Sequence, residues 1–361
     1  MRRAITLAKQ GAGSVAPNPL VGCVITRDNK IIAEGFHEVH GSHHAEINAI
    51  NNAIENDEDL KGTTLYCTLE PCCHAKKITG PCTERIKQYK FERIVVGCLD
   101  PNPRVAGNGV KSLKESGFQV EEGLLQRECE DLIRIFRKNI LESMPYILLK
   151  SAITLDGKIA NAENQSQWIT DKAARKEAHV LRKELGAILI GRGTLEKDNP
   201  SLTIRHVQAL RGMKRILVGD VEKLEKGVSE YKLFQDQENN PTIVVTPESS
   251  LNSPNVNKLK DLGVQLIFSG PMGPFDKSVL SDIYSHDVQS ILVEGGAQLM
   301  SSLIKEGNYD ELCLFVAPFM IGNGKSFYDN PEILDINEIP RLRLESSEKI
   351  GDQLLLKYLR S

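Results

Sequence analysis

His44-Ala45-Glu46, followed by Pro71-Cys72 and then Cys82, assigns the first part of the chain to a zinc-site fold. One imidazole and two thiols offer three ligands and leave a fourth tetrahedral position for water, as a catalytic zinc site requires. Zinc lowers the pKa of bound water to about 7, so hydroxide is available near neutral pH. A carboxylate outside the ligand set must then carry protons, and Glu46 is the candidate. Residues two apart do not share a face in mid-helix, so His44 and Glu46 converge only where the chain enters a helix. Residues 46–54 read as that helix, with apolar Ile47, Ile50 and Ile54. Pro71 ahead of Cys72, and the run Cys82-Thr83-Glu84-Arg85-Ile86, read as further helix entries, where the positive end of the helix depresses thiol pKa.

The arrangement has the layout of a zinc hydrolase that removes an amino group from a nucleobase-like ring. Zinc deaminases of that kind place two residues between their cysteines. Here residues 73–81 intervene, and the loop carries Lys76 and Lys77, which suits a phosphorylated substrate. The chain has 361 residues, for which two domains are the natural expectation. Its composition is globular, 40% hydrophobic and 26% charged, and a net charge of −3 gives no support for broad attraction to nucleic acid or membrane. No apolar run reaches the roughly 18 residues of a membrane helix. Residues 1–9 read as the first turns of an amphipathic helix, not a signal peptide, and a cytoplasmic location follows as the default. Seven of the 8 cysteines lie within the first 129 residues. Reduced thiols, some of them metal-bound, fit so long a chain better than a secreted disulfide scaffold. Cys23 and Cys98 fall in apolar strands and read as core.

Residues 21–26 and 30–35 flank Asp28-Asn29 as a hairpin, and 64–68 and 93–97 read as buried strands separated by helical stretches. That alternation argues for a layered α/β domain with its motifs at strand ends. Helical periodicity over 124–144 ends at Pro145, so the boundary falls there, giving domains 1–144 and 145–361. The second is again α/β, with strands at 146–152, 187–190, 215–218, 242–245, 264–268, 290–293 and 311–316. Gly191-Arg192-Gly193-Thr194 and Gly295-Gly296 follow two of these strands. Glycines before a helix start favour phosphate, yet no G-x-G-x-x-G is present and a Rossmann fold is not supported.

Together these residues resemble the bifunctional riboflavin-biosynthesis deaminase/reductase family over nearly the whole chain. In the first domain the resemblance rests on Pro17-Asn18-Pro19-Leu20-Val21-Gly22, His44-Ala45-Glu46, Thr68-Leu69-Glu70-Pro71-Cys72 with Cys82, and Asp100-Pro101-Asn102-Pro103 with Val105-Ala106-Gly107-Asn108-Gly109. In the second it rests on Lys150, Leu155-Asp156-Gly157-Lys158-Ile159-Ala160, Ser166-Gln167-Trp168-Ile169-Thr170, Asp198-Asn199-Pro200-Ser201-Leu202-Thr203 with Arg205, and Val293-Glu294-Gly295-Gly296. It implies a cytidine-deaminase-like domain followed by a dihydrofolate-reductase-like domain, with zinc and NADPH as cofactors. The first would deaminate 2,5-diamino-6-(5-phosphoribosylamino)pyrimidin-4-one, and the second would reduce the ribosyl group to ribityl.

By the same resemblance His44, Cys72 and Cys82 bind zinc and Glu46 shuttles the proton. Asn18, His37, one of Lys76 and Lys77, Asp100 and Asn102 contact the pyrimidine substrate. Lys150 and Asp198 lie near hydride transfer. Ser166, Arg182, Leu202, Arg205 and Glu294 contact substrate in the second domain. Ala152, Trp168, Thr170, Thr194, Asp198, Gly295 and Gly296 contact NADPH. A homo-oligomer is implied too.

Three departures stand out. The family usually has eight residues between its zinc cysteines, and here there are nine, with Cys73 a competing ligand. Gly219-Asp220 replaces an Asp followed by Ser or Thr, placing a negative charge beside the expected cofactor. Phe319 stands where lysine is common. Two other readings remain at this point: a zinc deaminase of another nucleobase with an inactive reductase-like domain, and a non-enzymatic zinc-stabilised binding module with Cys73 or His74 as fourth ligand.

Overall fold

The computed structural model describes residues 1–74, 80–103, 105–166, 169–329, 335, 337 and 339–360. The chain divides into two units, Met1–Ser143 and Met144–Ser361. No helix among the described residues is long and apolar enough to cross a membrane.

The first unit runs α1 (Arg2–Ala8), β1 (Gly22–Arg27), β2 (Lys30–Phe36), α2 (Ala45–Glu55), β3 (Thr64–Leu69), α3 (Cys82–Ile86), β4 (Arg93–Cys98), α4 (Asn108–Glu115), β5 (Gln119–Glu122), α5 (Gln126–Leu132) and α6 (Arg134–Glu142). Its sheet has the order β2-β1-β3-β4-β5. The β1–β2 hairpin closes on Asp28 and Asn29, with φ of 49° and 63°. Both lie in the left-handed region that a two-residue hairpin turn demands. α2 rests directly on β2: a Cβ at Gly35 would come within 2.3 Å of the Ala49 nitrogen. Ala45, Ala49 and Ala53, four residues apart and fully buried, make the matching small-residue stripe. Ile54, in the last turn of α2, is 44% exposed and does not join Ile47 and Ile50 on the buried face. Cys23, Cys67 and Cys98 are core residues.

The second unit runs β6 (Tyr146–Thr154), β7 (Lys158–Asn161), α7 (Lys172–Leu185), β8 (Ala187–Gly191), α8 (Arg192–Asp198), β9 (Lys214–Val218), β10 (Thr242–Pro247), α9 (Pro254–Asp261), β11 (Gln265–Ser269), α10 (Lys277–Ser285), β12 (Ser290–Glu294), α11 (Ala297–Glu306), β13 (Glu311–Ala317), β14 (Gly324–Ser326), β15 (Leu342–Ile350) and β16 (Gln353–Arg360). The main sheet has the order β11-β10-β9-β8-β12-β6-β13-β16-β15. It is parallel from β11 to β13, and β16 and β15 add antiparallel at one edge. Continuous apolar runs such as Ala187-Ile188-Leu189-Ile190 form its centre, because a parallel strand is covered on both faces. α7 is bounded by Asp171, whose carboxylate accepts the Ala174 N–H, and by left-handed Gly186. The carboxyl ends of β6, β8 and β12 point the same way, where ligands of open α/β sheets bind. β5, β7, β14, β15 and β16 lie outside the strands expected from the sequence. β15 is an edge strand whose Arg343, Glu345, Ser347 and Glu348 leave no apolar alternation to read.

Candidate active sites

In the first unit the chain enters α2 at His44, the residue before Ala45, and Glu46 is in the first turn. The His44 Nδ1 lies 3.2 Å from the Cys82 Sγ and 3.6 Å from the Cys72 Sγ. Zinc bonds of about 2.1 Å to nitrogen and 2.3 Å to sulfur set tetrahedral ligand atoms about 3.6 Å apart, so the donor set fits zinc. Among the described residues this is the only grouping of His, Cys, Asp and Glu donors close enough to hold a metal. Neither Cys73 nor His74 joins it, so the fourth protein ligand that a closed structural site needs is missing from the described residues.

Cys82 opens α3, as expected, with Pro81 before it. The Cys82 N–H donates to the Cys72 Sγ at 3.4 Å. Cys72 itself does not begin a helix, contrary to the sequence expectation. Its carbonyl accepts the Thr83 N–H instead, so the chain is drawn across to α3 and no helical turn propagates from Pro71. Without a cation, the hydrogen bond with Cys72 and burial push the Cys82 thiol well above its usual value. A coordinated metal reverses this, since a ligating thiol is deprotonated outright. Glu46 is 3% exposed. Burial pushes its carboxyl up against the pull of His44, which suits a group that must take up and release a proton.

His37 is buried and packs edge-on against His44, ring centroids 5.4 Å apart. Its Nδ1 is 3.0 Å from the His43 carbonyl and its Nε2 is 3.0 Å from the Asn18 Nδ2. Nδ1 therefore donates and Nε2 accepts, which leaves the Asn18 carbonyl oxygen for a ligand. Asp100 accepts the Asn102 N–H at 2.8 Å, an Asx turn that shapes the loop beyond β4. Lys76 and Lys77 lie outside the described residues.

In the second unit Lys150 of β6 and Glu294 of β12 are register partners, with Nζ and Oε2 4.0 Å apart. Arg182 of α7 meets Glu294 with two parallel N–H···O bonds of 2.9 Å and donates a third to the Thr203 carbonyl. Burial opposes ionisation of Glu294, but Lys150 and Arg182 outweigh it and hold the carboxyl at about 2. The Arg205 N–H donates to the His179 Nδ1. Burial, then Arg182 and Arg205, bring His179 down to about 4 and keep it neutral.

Leu202 has its side chain in the core and a left-handed backbone, so it presents main chain to any ligand. Thr194 and Asp198 lie four residues apart on α8 and share a face. Ser166 is reached by Lys197 of the same helix. Gly296 stands at the start of α11, with open space where a Cβ would be. A Cβ on Gly295 would meet Leu299 at 2.4 Å. Ala152 is half-buried on β6 opposite Phe315. Thr170 and Phe319 line a cavity of about 450 Å³; Trp168 lies outside the described residues. The Asp220 carboxylate is occupied by Ser250, the Glu222 N–H and Lys223, so its charge is locally compensated.

Residues 1–98 match the cytidine and deoxycytidylate deaminase zinc-binding region, and residues 145–356 match the RibD C-terminal domain. The chain is 39% identical to the riboflavin biosynthesis protein RibD of Aquifex aeolicus (strain VF5), covering 100% of this chain and 97% of the relative. The chain belongs to the RibD family. RibD of Escherichia coli (strain K12) is 32% identical over 99% of this chain and 97% of its own length. Acinetobacter baumannii RibD (form 1) superposes with a TM-score of 0.85 at 33% identity, covering 100% of this chain and 97% of that one. The Thermotoga maritima diaminohydroxyphosphoribosylaminopyrimidine deaminase/5-amino-6-(5-phosphoribosylamino)uracil reductase does so with 0.86 at 36%, with the same coverage. This RibD-family chain is thus a bifunctional enzyme of riboflavin biosynthesis, a zinc-dependent deaminase and an NADPH-dependent reductase. Its halves have the expected cytidine-deaminase-like and dihydrofolate-reductase-like α/β folds.

Three residues escaped the sequence reading. Glu70, 3% exposed, accepts four backbone N–H groups. His179 fixes the Arg205 main chain. Arg215, 1% exposed, donates to the Ser201 and Gln235 carbonyls and so braces the turn that carries Leu202. Glu70 follows an apolar strand, His179 stands between Ala178 and Val180, and Arg215 precedes Ile216-Leu217-Val218, so an ionisable residue beside apolar neighbours is the signal available.

Proposed function

We propose that residues 1–144 hydrolyse the ring amine of 2,5-diamino-6-(5-phosphoribosylamino)pyrimidin-4-one, and that residues 145–361 then reduce its ribosyl group to ribityl. The observation that carries this is the three-donor set of His44, Cys72 and Cys82 with buried Glu46 beside it, in one chain with a RibD C-terminal domain. Zinc, when bound, supplies a water acidic enough to attack near neutral pH. The Glu46 carboxylate takes a proton from the attacking water and delivers it to the departing amine nitrogen, so water is consumed and ammonia released. Asn18, held by His37, offers its carbonyl oxygen to the pyrimidine edge. Asp100 and Asn102 line the pocket, and Lys76 or Lys77 meets the phosphate.

NADPH, when bound, supplies the hydride for the second step. Lys150 and Asp198 flank the reacting carbon. The Glu294 oxygens keep lone pairs for the ribityl hydroxyls beyond those used by Arg182. Arg205, with the two Arg182 N–H groups not used by Glu294 and Thr203, takes the phosphate, joined by Ser166 and the Leu202 main chain. Ala152, Trp168, Thr170, Thr194 and the turn through Gly295 and Gly296 hold the cofactor. Cytoplasmic location and homo-oligomeric assembly belong to the same proposal; eight free cysteines support a reducing compartment, and light scattering tests the assembly.

The test follows ammonia and NADPH absorbance together on the purified chain. Ammonia without NADPH, then NADPH consumption on the product, is the expected result. Ammonia with no use of NADPH or NADH would confine the activity to the first unit. No ammonia from zinc-loaded protein would defeat the substrate assignment.

A further inference from the structure

Glu70 follows β3 and lies two residues before the ligand Cys72. Its own N–H is bonded to the Cys98 carbonyl at the end of β4. Its Oε2 accepts the Asp100 N–H at 3.1 Å and the Gly107 N–H at 2.9 Å. Its Oε1 accepts the Gly109 N–H at 2.8 Å and the Val110 N–H at 3.1 Å. The last two are orphan donors in the first turn of α4, whose preceding residue, Gly107, has no side chain to cap them. One buried carboxylate therefore ties both ends of the 100–107 loop and caps α4 from a distant part of the chain. The contact is tight on the other side too. A Cβ at Gly109 would lie 2.1 Å from the Pro71 carbonyl oxygen, so α4 sits directly on the peptide that leads into Cys72.

We infer that Glu70 is a positioning residue for deamination: it locks the Asp100–Asn102 wall of the pyrimidine pocket and the Cys72 turn into one rigid piece. The pocket wall is taken from the function proposed above, on which this part rests. The metal-turn part stands on the geometry alone. All four N–H groups need an acceptor, and no neutral side chain of this length offers two. Glutamine keeps one oxygen and turns an NH₂ donor toward the other pair, which frees either the loop or the α4 end.

The experiment compares the full chain with Glu70→Gln and Gly109→Ala. Wild type should release zinc to a chelator slowly, and Glu70→Gln about tenfold faster from the same initial zinc content, the scale seen when the support of a metal ligand is removed. The KM for the diaminopyrimidine should rise about tenfold while kcat changes little. A merely destabilised variant would do the opposite, losing active fraction and so kcat at constant KM. Reduction of the deaminated intermediate, supplied directly, should be unchanged and reports folding of the second unit. Gly109→Ala keeps the carboxylate but pushes α4 off Pro71, and should reproduce both effects.

Should Glu70→Gln fail to fold, hydrogen exchange on wild type decides: the Gly107, Gly109 and Val110 amides should be protected, and fast exchange there would overturn the inference. Wild-type KM and zinc release in both variants would overturn it as well. Absence of ammonia release by wild type would defeat the substrate reading, leaving zinc release and exchange to judge Glu70.

Discussion

The Arg182–Glu294 pair gives the sharpest quantitative prediction. Both side chains are largely buried, 13% and 17% exposed, and meet through two parallel bonds of 2.9 Å. A carboxyl held at about 2 instead of 4.5 contributes about 3 kcal/mol of stability at neutral pH. The folded value is the depressed one, so this contribution is complete above pH 4.5 and is lost as pH falls toward 2. Removing Glu294 strands Arg182, which costs about 3–5 kcal/mol for a buried pair, whereas removing Arg182 leaves Glu294 beside Lys150 at 4.0 Å and costs less. Glu294→Gln, Arg182→Met and the double variant should be compared by urea unfolding of the full chain at pH 7. Fluorescence of the single tryptophan, Trp168, follows the second unit. Glu294→Gln should cost about 3 kcal/mol or more, and Arg182→Met less, because Lys150 still faces the carboxylate. The double change should cost well under the sum, with a coupling of about 1–3 kcal/mol, since Lys150 carries part of the effect on Glu294. Glu294→Gln should also flatten the acid sensitivity between pH 4.5 and 3. Additive losses with no coupling, or unchanged acid sensitivity, would show that the buried pair does not hold the Glu294 carboxylate.

Three further outcomes are expected. Glu46→Gln should keep its zinc, by metal analysis, yet lose ammonia release by about 100-fold or more; unchanged turnover would end the proton-shuttle role. Cys82→Ser, or chelation of wild type, should abolish ammonia release while reduction of the deaminated intermediate continues, and added zinc should restore only the chelated enzyme. Arg205→Ala should raise the reductase KM for the phosphorylated substrate about tenfold or more, the scale of a lost charge-assisted bond. An equal effect on a dephosphorylated analogue would move Arg205 away from the phosphate.

Much of the fold was readable because local periodicity reports burial. The Asp28-Asn29 hairpin, the entry into α2 at His44 and the apolar strands of the parallel sheet all follow from neighbours in the chain. The misses have one physical cause. β15 carries alternating charge because an edge strand is held by pairing with β16 and not by its own apolar face. Ile54 follows the apolar spacing of Ile47 and Ile50, but it falls in the last turn of α2 and is 44% exposed.

The chemistry is written in the chain: one imidazole, two thiols and a nearby carboxylate at a helix entry, and a second α/β domain with glycines at strand ends. Which of these groups meet is settled by folding. His44 and Cys82 are 38 residues apart and reach 3.2 Å. Arg182 and Glu294, separated by 112 residues, share a bidentate bond, and Glu70 gathers four amides from 30 to 40 residues away. Side-chain type is a local property and is written in the chain. The partner of a buried charge is set by how sheets and helices stack, and desolvation makes that partner obligatory once stacking has occurred.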